Sequence, residues 1–103
     1  MFYVIYEFEV KPNSEAAFKQ AWFGLTKLFY QYEGSYGSRL HKVPDKLFIA
    51  YAGWPSRATW ENSGRNLPDN ASHFRNAMRD ACVNISTKYE MNMVEDYLKD
   101  KAL

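Results

Sequence analysis

The hydrophobic residues of this chain follow two kinds of pattern, and the first is typical of strands. Eight residues without a charge, LFIAYAGW, extend from Leu47 to Trp54 between Pro44-Asp45 and Pro55-Ser56. This length and these turn-forming borders predict a strand that is buried on both faces. A second apolar segment, from Phe2 to Val10, predicts another central strand, which ends before Pro12 because proline cannot continue a central ladder.

The second pattern is helical and occurs first after Asn13 or Ser14, either of which can cap a helix. Apolar residues then recur every three or four positions, which predicts an amphipathic helix that ends near Tyr32. They are Phe18, Ala21, Trp22, Leu25, Leu28, Phe29 and Tyr32. Gly24 predicts a close approach of this helix to the sheet, and Gly34 predicts its C-terminal cap.

A similar stripe later in the chain predicts a second long helix, from Pro68 or Asp69 to about Asn84. Its apolar side consists of Phe74, Ala77, Met78, Ala81, Cys82 and Ile85. Before it, Ser56 predicts the cap of a short helical turn from Arg57 to about Asn62.

Two more polar segments, Tyr36 to Val43 and Thr87 to Tyr97, predict the remaining strands. Pro44, Asp45 and Lys46 predict a tight turn that makes the second and third strands a hairpin, and Lys99 to Leu103 predict a loose tail. The order is therefore βαββαβ, which predicts an α+β, ferredoxin-like domain over residues 1–103 with a four-stranded antiparallel sheet. The first and third strands are expected in the centre because they are the most apolar.

The face of this sheet that the helices leave uncovered is expected to be apolar as well. Tyr3 and Ile5 lie on that face of the first strand, and Ile49 and Tyr51 belong to an apolar third strand. A second copy packed sheet against sheet would cover them, so the sequence predicts a homodimer. The alternative is a monomer whose tail or long loop folds over this face.

Composition excludes several classes of partner. The chain has 103 residues, one cysteine, Cys82, and a net charge of +1, which provides no basic surface for nucleic acid or acidic lipid. No segment resembles a signal peptide or a membrane helix, and a single thiol is typical of a reduced, cytoplasmic protein. We expect no nucleic acid and no membrane as partners.

Several motifs resemble the antibiotic biosynthesis monooxygenase domain family, whose members are dimeric α/β barrels. They are VKP at Val10, Phe18, GSYGSRL from Gly34, YAGWPSRATWEN from Tyr51, and SHF at Ser72. The resemblance implies that two ferredoxin-like subunits join their sheets and that each keeps a pocket between helices and sheet. It also implies oxidation of quinols or polyketide-like aromatics by oxygen without metal or flavin, or, as in other members, haem binding and degradation.

Haem binding is the alternative to cofactor-independent oxidation, and the residues of this chain match it only in part. Haem-degrading relatives have an asparagine on the first strand, and this chain has none between Met1 and Pro12. Trp60 and His73 match the other two positions of that site loosely. We therefore expect no cofactor, with haem as the open alternative.

The predicted site residues are one histidine and three aromatic residues. His73 is the candidate catalytic residue, as a general base near neutral pH, and its alternative is a surface histidine without a role. Trp22, Trp60 and Phe74 are the candidate substrate-binding residues. Trp54 could line the same cavity, and the alternative for the three tryptophans is the core or the dimer interface. One cysteine and two distant histidines predict no metal site.

The first functional hypothesis is a cofactor-independent monooxygenase that acts on a small aromatic or quinol-like substrate. The second is a dimeric module that binds a small aromatic ligand without turning it over, and the third is haem binding. RNA recognition is disfavoured because LFIAYAGW lacks the basic residue and alternating aromatics that RNA-recognition modules carry on their third strand.

Overall fold

The computed structural model describes residues 1–44 and 47–99. The elements in chain order are β1 (Phe2–Val10), α1 (Glu15–Tyr32), β2 (Gly37–Val43), β3 (Leu47–Trp54), α2 (Arg57–Glu61), α3 (Ala71–Asp80) and β4 (Cys82–Asn92). The predicted bounds of β1 and β3 are confirmed at both ends. The predicted turn at Asp45 and Lys46 and the end of the predicted tail, residues 100–103, lie outside the described residues.

The four strands form one antiparallel sheet in the order β2-β3-β1-β4, which confirms the ferredoxin-like arrangement and the two central strands. The register pairs Val4 with Ala52 and Tyr6 with Ala50. Because side chains alternate along a strand, the even-numbered residues of β1 and β3 share one face. This face carries buried side chains such as Phe8 and Phe48 against Phe18 of α1, so the core lies between the sheet and the helices.

The boundary between α3 and β4 differs from the prediction of a helix to Asn84. Helix α3 ends at Asp80, and Cys82 and Ile85 are strand residues that pair with Val10 and Phe8. The β-branched Val83 and Ile85 favour a strand, and β1 offers a free edge for hydrogen bonds, so sheet pairing prevails over the apparent helical period. The burial predicted for Cys82 is nevertheless confirmed.

The other end of β4 also differs, because the strand was predicted to reach Tyr97 and ends at Asn92. Asn92 pairs with Phe2, and the amide of Met93 donates a 3.0 Å hydrogen bond to the carbonyl of Met1. The last ladder pair of β4 is thus with Phe2, the first residue of β1.

The predicted helix caps are confirmed in two cases. Gly34 follows the last residues of α1 with φ of +79°, the left-handed conformation that favours glycine, and the hydroxyl of Ser56 accepts a 3.2 Å hydrogen bond from the amide of Thr59. The cap predicted at Asn13 or Ser14 is confirmed in position only, because Ser14 is the N-cap residue of α1 but its side chain makes no capping hydrogen bond.

Gly24 allows a close contact, but with α3 instead of the sheet as predicted. A β-carbon at Gly24 would lie 2.5 Å from the ring of Phe74. The absence of a side chain in the middle of α1 therefore lets the Phe74 ring fill the space between the two long helices. Leu25, Leu28 and Ala71 are the buried residues of this interhelical cluster.

The helix-free face of the sheet carries Tyr3, Ile5, Ile49 and Tyr51, none of them fully buried. The rings of Tyr3 and Tyr51 stack with their centroids 4.7 Å apart. Residues 93–98 lie beside this pair and border the same depression, yet Val94, Tyr97 and Leu98 are 90%, 88% and 78% exposed. The side chains of these three residues are therefore not packed onto this face.

No helix among the described residues has the length and apolar character needed to cross a membrane.

Candidate functional site

A cavity of about 600 Å³ lies between the two long helices and the helix-covered face of the sheet. Its floor includes Ala50 and Ala52 of β3, where small side chains leave room above the sheet. Trp22, Leu25 and Phe29 of α1 line it from the helix side. Both its size and its largely apolar lining are typical of sites that bind small molecules.

The cavity has a buried inner end and an exposed mouth. Trp54 and Ala52 at the inner end are 3% and 7% exposed. Val83 at the mouth is 61% exposed, and Arg75 and Arg79 of α3 line the same side. A ligand would therefore enter beside α3 and the start of β4 and extend beneath α1.

The loop that follows α2 is held in place at this mouth by Glu33. The carboxylate of Glu33, only 8% exposed, accepts a 2.7 Å hydrogen bond from the backbone amide of Asn66. A buried carboxylate requires such a partner, so this bond fixes residues 63–66 against the end of α1. It thereby positions Ser63, which lines the cavity.

Tyr6 is the titratable hydroxyl group of β1 that lines the cavity. Its phenol oxygen accepts a 2.8 Å hydrogen bond from Nε1 of Trp60. Burial raises the pKa of the Tyr6 phenol above its ordinary value, and the hydrogen bond from Trp60 only partly opposes this shift. The phenol therefore stays protonated at neutral pH, and because Trp60 acts as the donor, its own O–H proton is free to be donated to a ligand.

Nε1 of Trp54 and Oγ of Ser38 are buried without a hydrogen-bond partner among the described residues. Both residues line the cavity, but these two atoms have almost no accessible surface and are not presented to it. Ser38 on β2 is paired with Ala52, which lies two positions before Trp54 on β3. By contrast, Oγ of Ser35 accepts a 2.9 Å hydrogen bond from the amide of Gly37.

The structure brings only part of the predicted site together. Trp22 lines the cavity. Trp60 does not line the cavity but packs against Phe2, with ring centroids 5.6 Å apart. It is linked to the cavity by its hydrogen bond to Tyr6. Phe74 lies between the helices against Gly24 and outside the lining.

His73 lies in the first turn of α3, where its side chain is exposed and does not line the cavity. Its ring contacts the ring of Phe74 with centroids 5.5 Å apart. Its catalytic role stays a prediction, as do the substrate-binding roles of Trp22, Trp60 and Phe74.

Sequence reasoning did not single out Tyr6, Ser38, Ala50, Ala52 or Arg75 as site residues. One signal was available: Ala50 and Ala52 are small residues at alternate positions of a strand whose other residues are mostly large. Small side chains on the helix-covered face of a central strand leave space that an apolar core otherwise fills.

The residues present do not fit the haem alternative. His73, which loosely matches the histidine of the haem site, lies outside the cavity lining, and no histidine is among the described residues that line it. Across residues 1–44 and 47–99, no three His, Cys, Asp or Glu side chains form a group suited to a metal ion.

Comparison of this structure with solved structures finds the same fold in several proteins. SnoaB, a cofactor-independent oxygenase from Streptomyces nogalater, matches with a TM-score of 0.76 and 12% identity over 95% of this chain and 97% of its own. A candidate antibiotic biosynthesis monooxygenase from Caulobacter crescentus matches with a TM-score of 0.74 and 16% identity over 91% of this chain and 90% of its own.

The chain has the fold of the antibiotic biosynthesis monooxygenases. A further candidate member, from Nitrosomonas europaea, matches with a TM-score of 0.74 and 15% identity over 92% of this chain and all of its own. The resemblance seen in the sequence motifs is therefore confirmed for the fold. No protein-family model matches the sequence, and no curated protein matches it significantly.

The hydrogen bond between Trp60 and Tyr6 is expected to contribute about 1 kcal/mol to the free energy of unfolding, the usual value for a neutral pair. A double-mutant cycle of Tyr6→Phe and Trp60→Phe, measured by urea denaturation, should give a coupling energy of that size. The matched control cycle pairs Tyr6→Phe with Trp22→Phe, which makes no hydrogen bond to Tyr6, and should give a coupling close to zero. Equal coupling in both cycles would show that the bond does not stabilise this site.

Proposed function

We propose that this protein is a cofactor-independent monooxygenase of a small aromatic or quinol-like substrate. The observation that carries the proposal is the aromatic-lined cavity beneath α1, in a fold shared with SnoaB, a cofactor-independent oxygenase. The flat side chains of Trp22, Phe29 and Trp54 surround a space that suits a planar ring.

In this proposal the substrate supplies the electrons that oxygen needs. Loss of a proton from a phenol or an activated CH₂ group gives an anion that passes one electron to O₂. The substrate radical and superoxide combine to a peroxide anion, which takes up one proton and becomes a hydroperoxide. Loss of water from that hydroperoxide converts CH₂ into C=O, so one oxygen atom stays in the product and the other leaves with the two hydrogens.

Tyr6 has the proposed role of hydrogen-bond donor to the oxygen on which negative charge develops. A preorganised donor in a water-poor site stabilises such an anion. Its raised pKa makes it a donor and not a base. The sequence predicted His73 as the base, but its exposed position outside the lining argues against this role, so the proposal assigns it none.

A second candidate function is ligand binding without turnover. The specific observation in its favour is that the described lining residues include no His, Asp or Glu that could act as a base. A substrate in such a site would have to lose its proton to solvent or arrive already ionised.

Oxygen uptake with a panel of quinols and anthrones distinguishes the two functions. Ala52→Leu should fill the floor of the cavity and abolish uptake, whereas Ala17→Leu, the same change at an exposed position of α1, should leave it unchanged. Tyr6→Phe should lower the rate by about a hundredfold, the usual size of a lost anion-stabilising donor. His73→Ala should leave the rate within about twofold.

Each result has a direct meaning. Saturable binding without uptake in the wild type would favour the non-catalytic module. Loss of uptake on His73→Ala would instead identify His73 as the base predicted from the sequence, and unchanged uptake in Ala52→Leu would contradict the cavity as the site of reaction.

We further propose that two copies pack their helix-free sheet faces together. The support comes from Tyr3, Ile5, Ile49 and Tyr51 on this face and from exposed apolar residues in the adjacent tail. An apolar surface of this kind is typical of an interface, and an isologous contact would cover both copies at once.

Light scattering at micromolar concentration should therefore return the mass of two chains. Ile49→Asp should shift the mass to one chain, because a charge in the centre of an apolar interface is costly to bury. Glu9→Asp, a change at the exposed end of the neighbouring strand, is the control and should stay dimeric. A wild type of single-chain mass would contradict the proposed interface.

Cys82 supports the proposed cytoplasmic location. It is the one cysteine of the chain, it is buried, and burial raises the pKa of its thiol. A buried thiol of this kind is unreactive and needs no disulfide partner.

A further inference from the structure

Glu33 is a charged residue at a position where the fold does not favour one. It is the C-cap residue of α1, beside the negative end of the helix dipole, and the last turn of α1 contains no basic residue. It is also buried, and none of the salt bridges among the described residues includes it. The stability of α1 therefore does not explain a carboxylate at this position.

The carboxylate is bonded instead to the loop between α2 and α3. Its Oε2 accepts a 2.7 Å hydrogen bond from the backbone amide of Asn66, and its Oε1 lies 3.5 Å from the side-chain nitrogen of the same residue. Within the described part of the chain, residues 64–67 make no other hydrogen bond. The next residue, Leu67, packs against the interhelical cluster of Leu25, Leu28 and Ala71. The loop is thus anchored to the fold at Asn66 and Leu67.

The part of the loop before this anchor borders the mouth of the cavity. Ser63 lines the cavity, and its hydroxyl donates a 2.6 Å hydrogen bond to the carbonyl of Trp60. Gly64 follows with φ of +97°, and a β-carbon there would lie 4.0 Å from Nη2 of Arg75, which lines the cavity from α3. Residues 63 and 64 therefore lie next to Arg75 at the rim.

We propose that Glu33 is a latch, that residues 63–66 are a flap at the mouth of the cavity, and that release of the Asn66 amide from Glu33 lets a ligand enter and leave. Gly64 is the hinge of this flap, because a glycine can change its backbone angles at low cost. The latch is a property of the chain alone, whereas its effect on a ligand rests on the cavity named under the proposed function.

The strength of one charge-assisted hydrogen bond suits such a latch. A bond of this kind favours the closed flap by roughly tenfold to a hundredfold. The flap then stays closed most of the time but opens often enough for a ligand to pass, as loops at the entrance of binding sites commonly do.

Hydrogen exchange of the Asn66 amide, followed by NMR on ¹⁵N-labelled protein, measures the latch without a ligand. In the wild type this amide should exchange at least about tenfold more slowly than an unbonded amide in the same sequence. Glu33→Ala should bring the rate to within about twofold of the unbonded amide. Glu33→Gln keeps an acceptor but removes the charge, so the rate should rise by about fivefold. Glu9→Gln, the same change at an exposed position of β1, is the control and should leave the rate unchanged.

Urea denaturation of Glu33→Gln separates a latch from a group that stabilises the whole fold. The substitution removes a buried charge from the negative end of a helix, so the unfolding midpoint should stay the same or rise although the Asn66 amide exchanges faster. A midpoint that falls in proportion to the lost protection would show a structural role and contradict the latch.

Stopped-flow fluorescence tests the effect on a ligand, with 1,4-dihydroxynaphthalene under nitrogen as the probe and quenching of the lining residues Trp22 and Trp54 as the signal. Glu33→Gln should raise the association and dissociation rate constants by the same factor, about fivefold, because a flap changes the path and not the bound state. The Kd should stay within about twofold. Glu9→Gln should change neither rate constant.

The outcomes separate this proposal from the monooxygenase function. Faster exchange of the Asn66 amide in the Glu33 variants, together with equal increases in both rate constants, supports the latch even when no quinol consumes oxygen. The proposal is overturned if the Asn66 amide is unprotected in the wild type, or if Glu33→Gln raises the dissociation rate constant alone. A wild type that does not bind the probe contradicts the proposed substrate class, and the exchange of the Asn66 amide then decides the latch.

Discussion

The structure depends on one central strand, β3, that is apolar on both of its faces. A strand beneath two helices needs apolar side chains on one face only, yet β3 presents Ile49 and Tyr51 on the side that the helices do not reach. On the helix side it presents Ala50 and Ala52, whose small side chains leave part of the space beneath α1 unfilled. The cavity and the open sheet face therefore both originate in the same eight residues.

One polar group of the cavity, the Tyr6 phenol, is oriented by a hydrogen bond within the chain. Nε1 of Trp60 donates this bond, so the phenol is fixed before any ligand arrives. Nε1 of Trp54 and Oγ of Ser38 have no partner among the described residues, and their burial costs free energy. The loop after α2 borders the mouth of this cavity, and the buried carboxylate of Glu33 holds it there through the amide of Asn66.

Local patterns were sufficient to predict β1, β3 and the order of the sheet, because a short uncharged segment between turn residues is typical of a central strand. They failed at Cys82 and Ile85, whose helical spacing to Phe74 and Met78 is accidental and whose partner, β1, is more than seventy residues away in sequence. Long-range pairing of this kind is not visible in a single segment.

The site was less predictable than the fold for a similar reason: whether His73, one position from an apolar stripe, faces a cavity depends on the rotation of the whole helix. Helix α3 is positioned by Phe74 against Gly24, and this contact leaves His73 exposed, whereas Trp22 lies within its own stripe and does line the cavity.

The most direct test of the cavity as the ligand site is the NMR signal of the three tryptophan indole N–H groups, recorded on ¹⁵N-labelled protein during titration with 1,4-dihydroxynaphthalene under nitrogen. We expect the Trp22 signal to shift with saturation, because its ring lines the cavity and a bound aromatic ring changes its surroundings, whereas the Trp60 signal, outside the lining and already bonded to Tyr6, should shift much less. A Trp22 signal that stays in place at saturation would contradict the cavity as the place where the ligand binds.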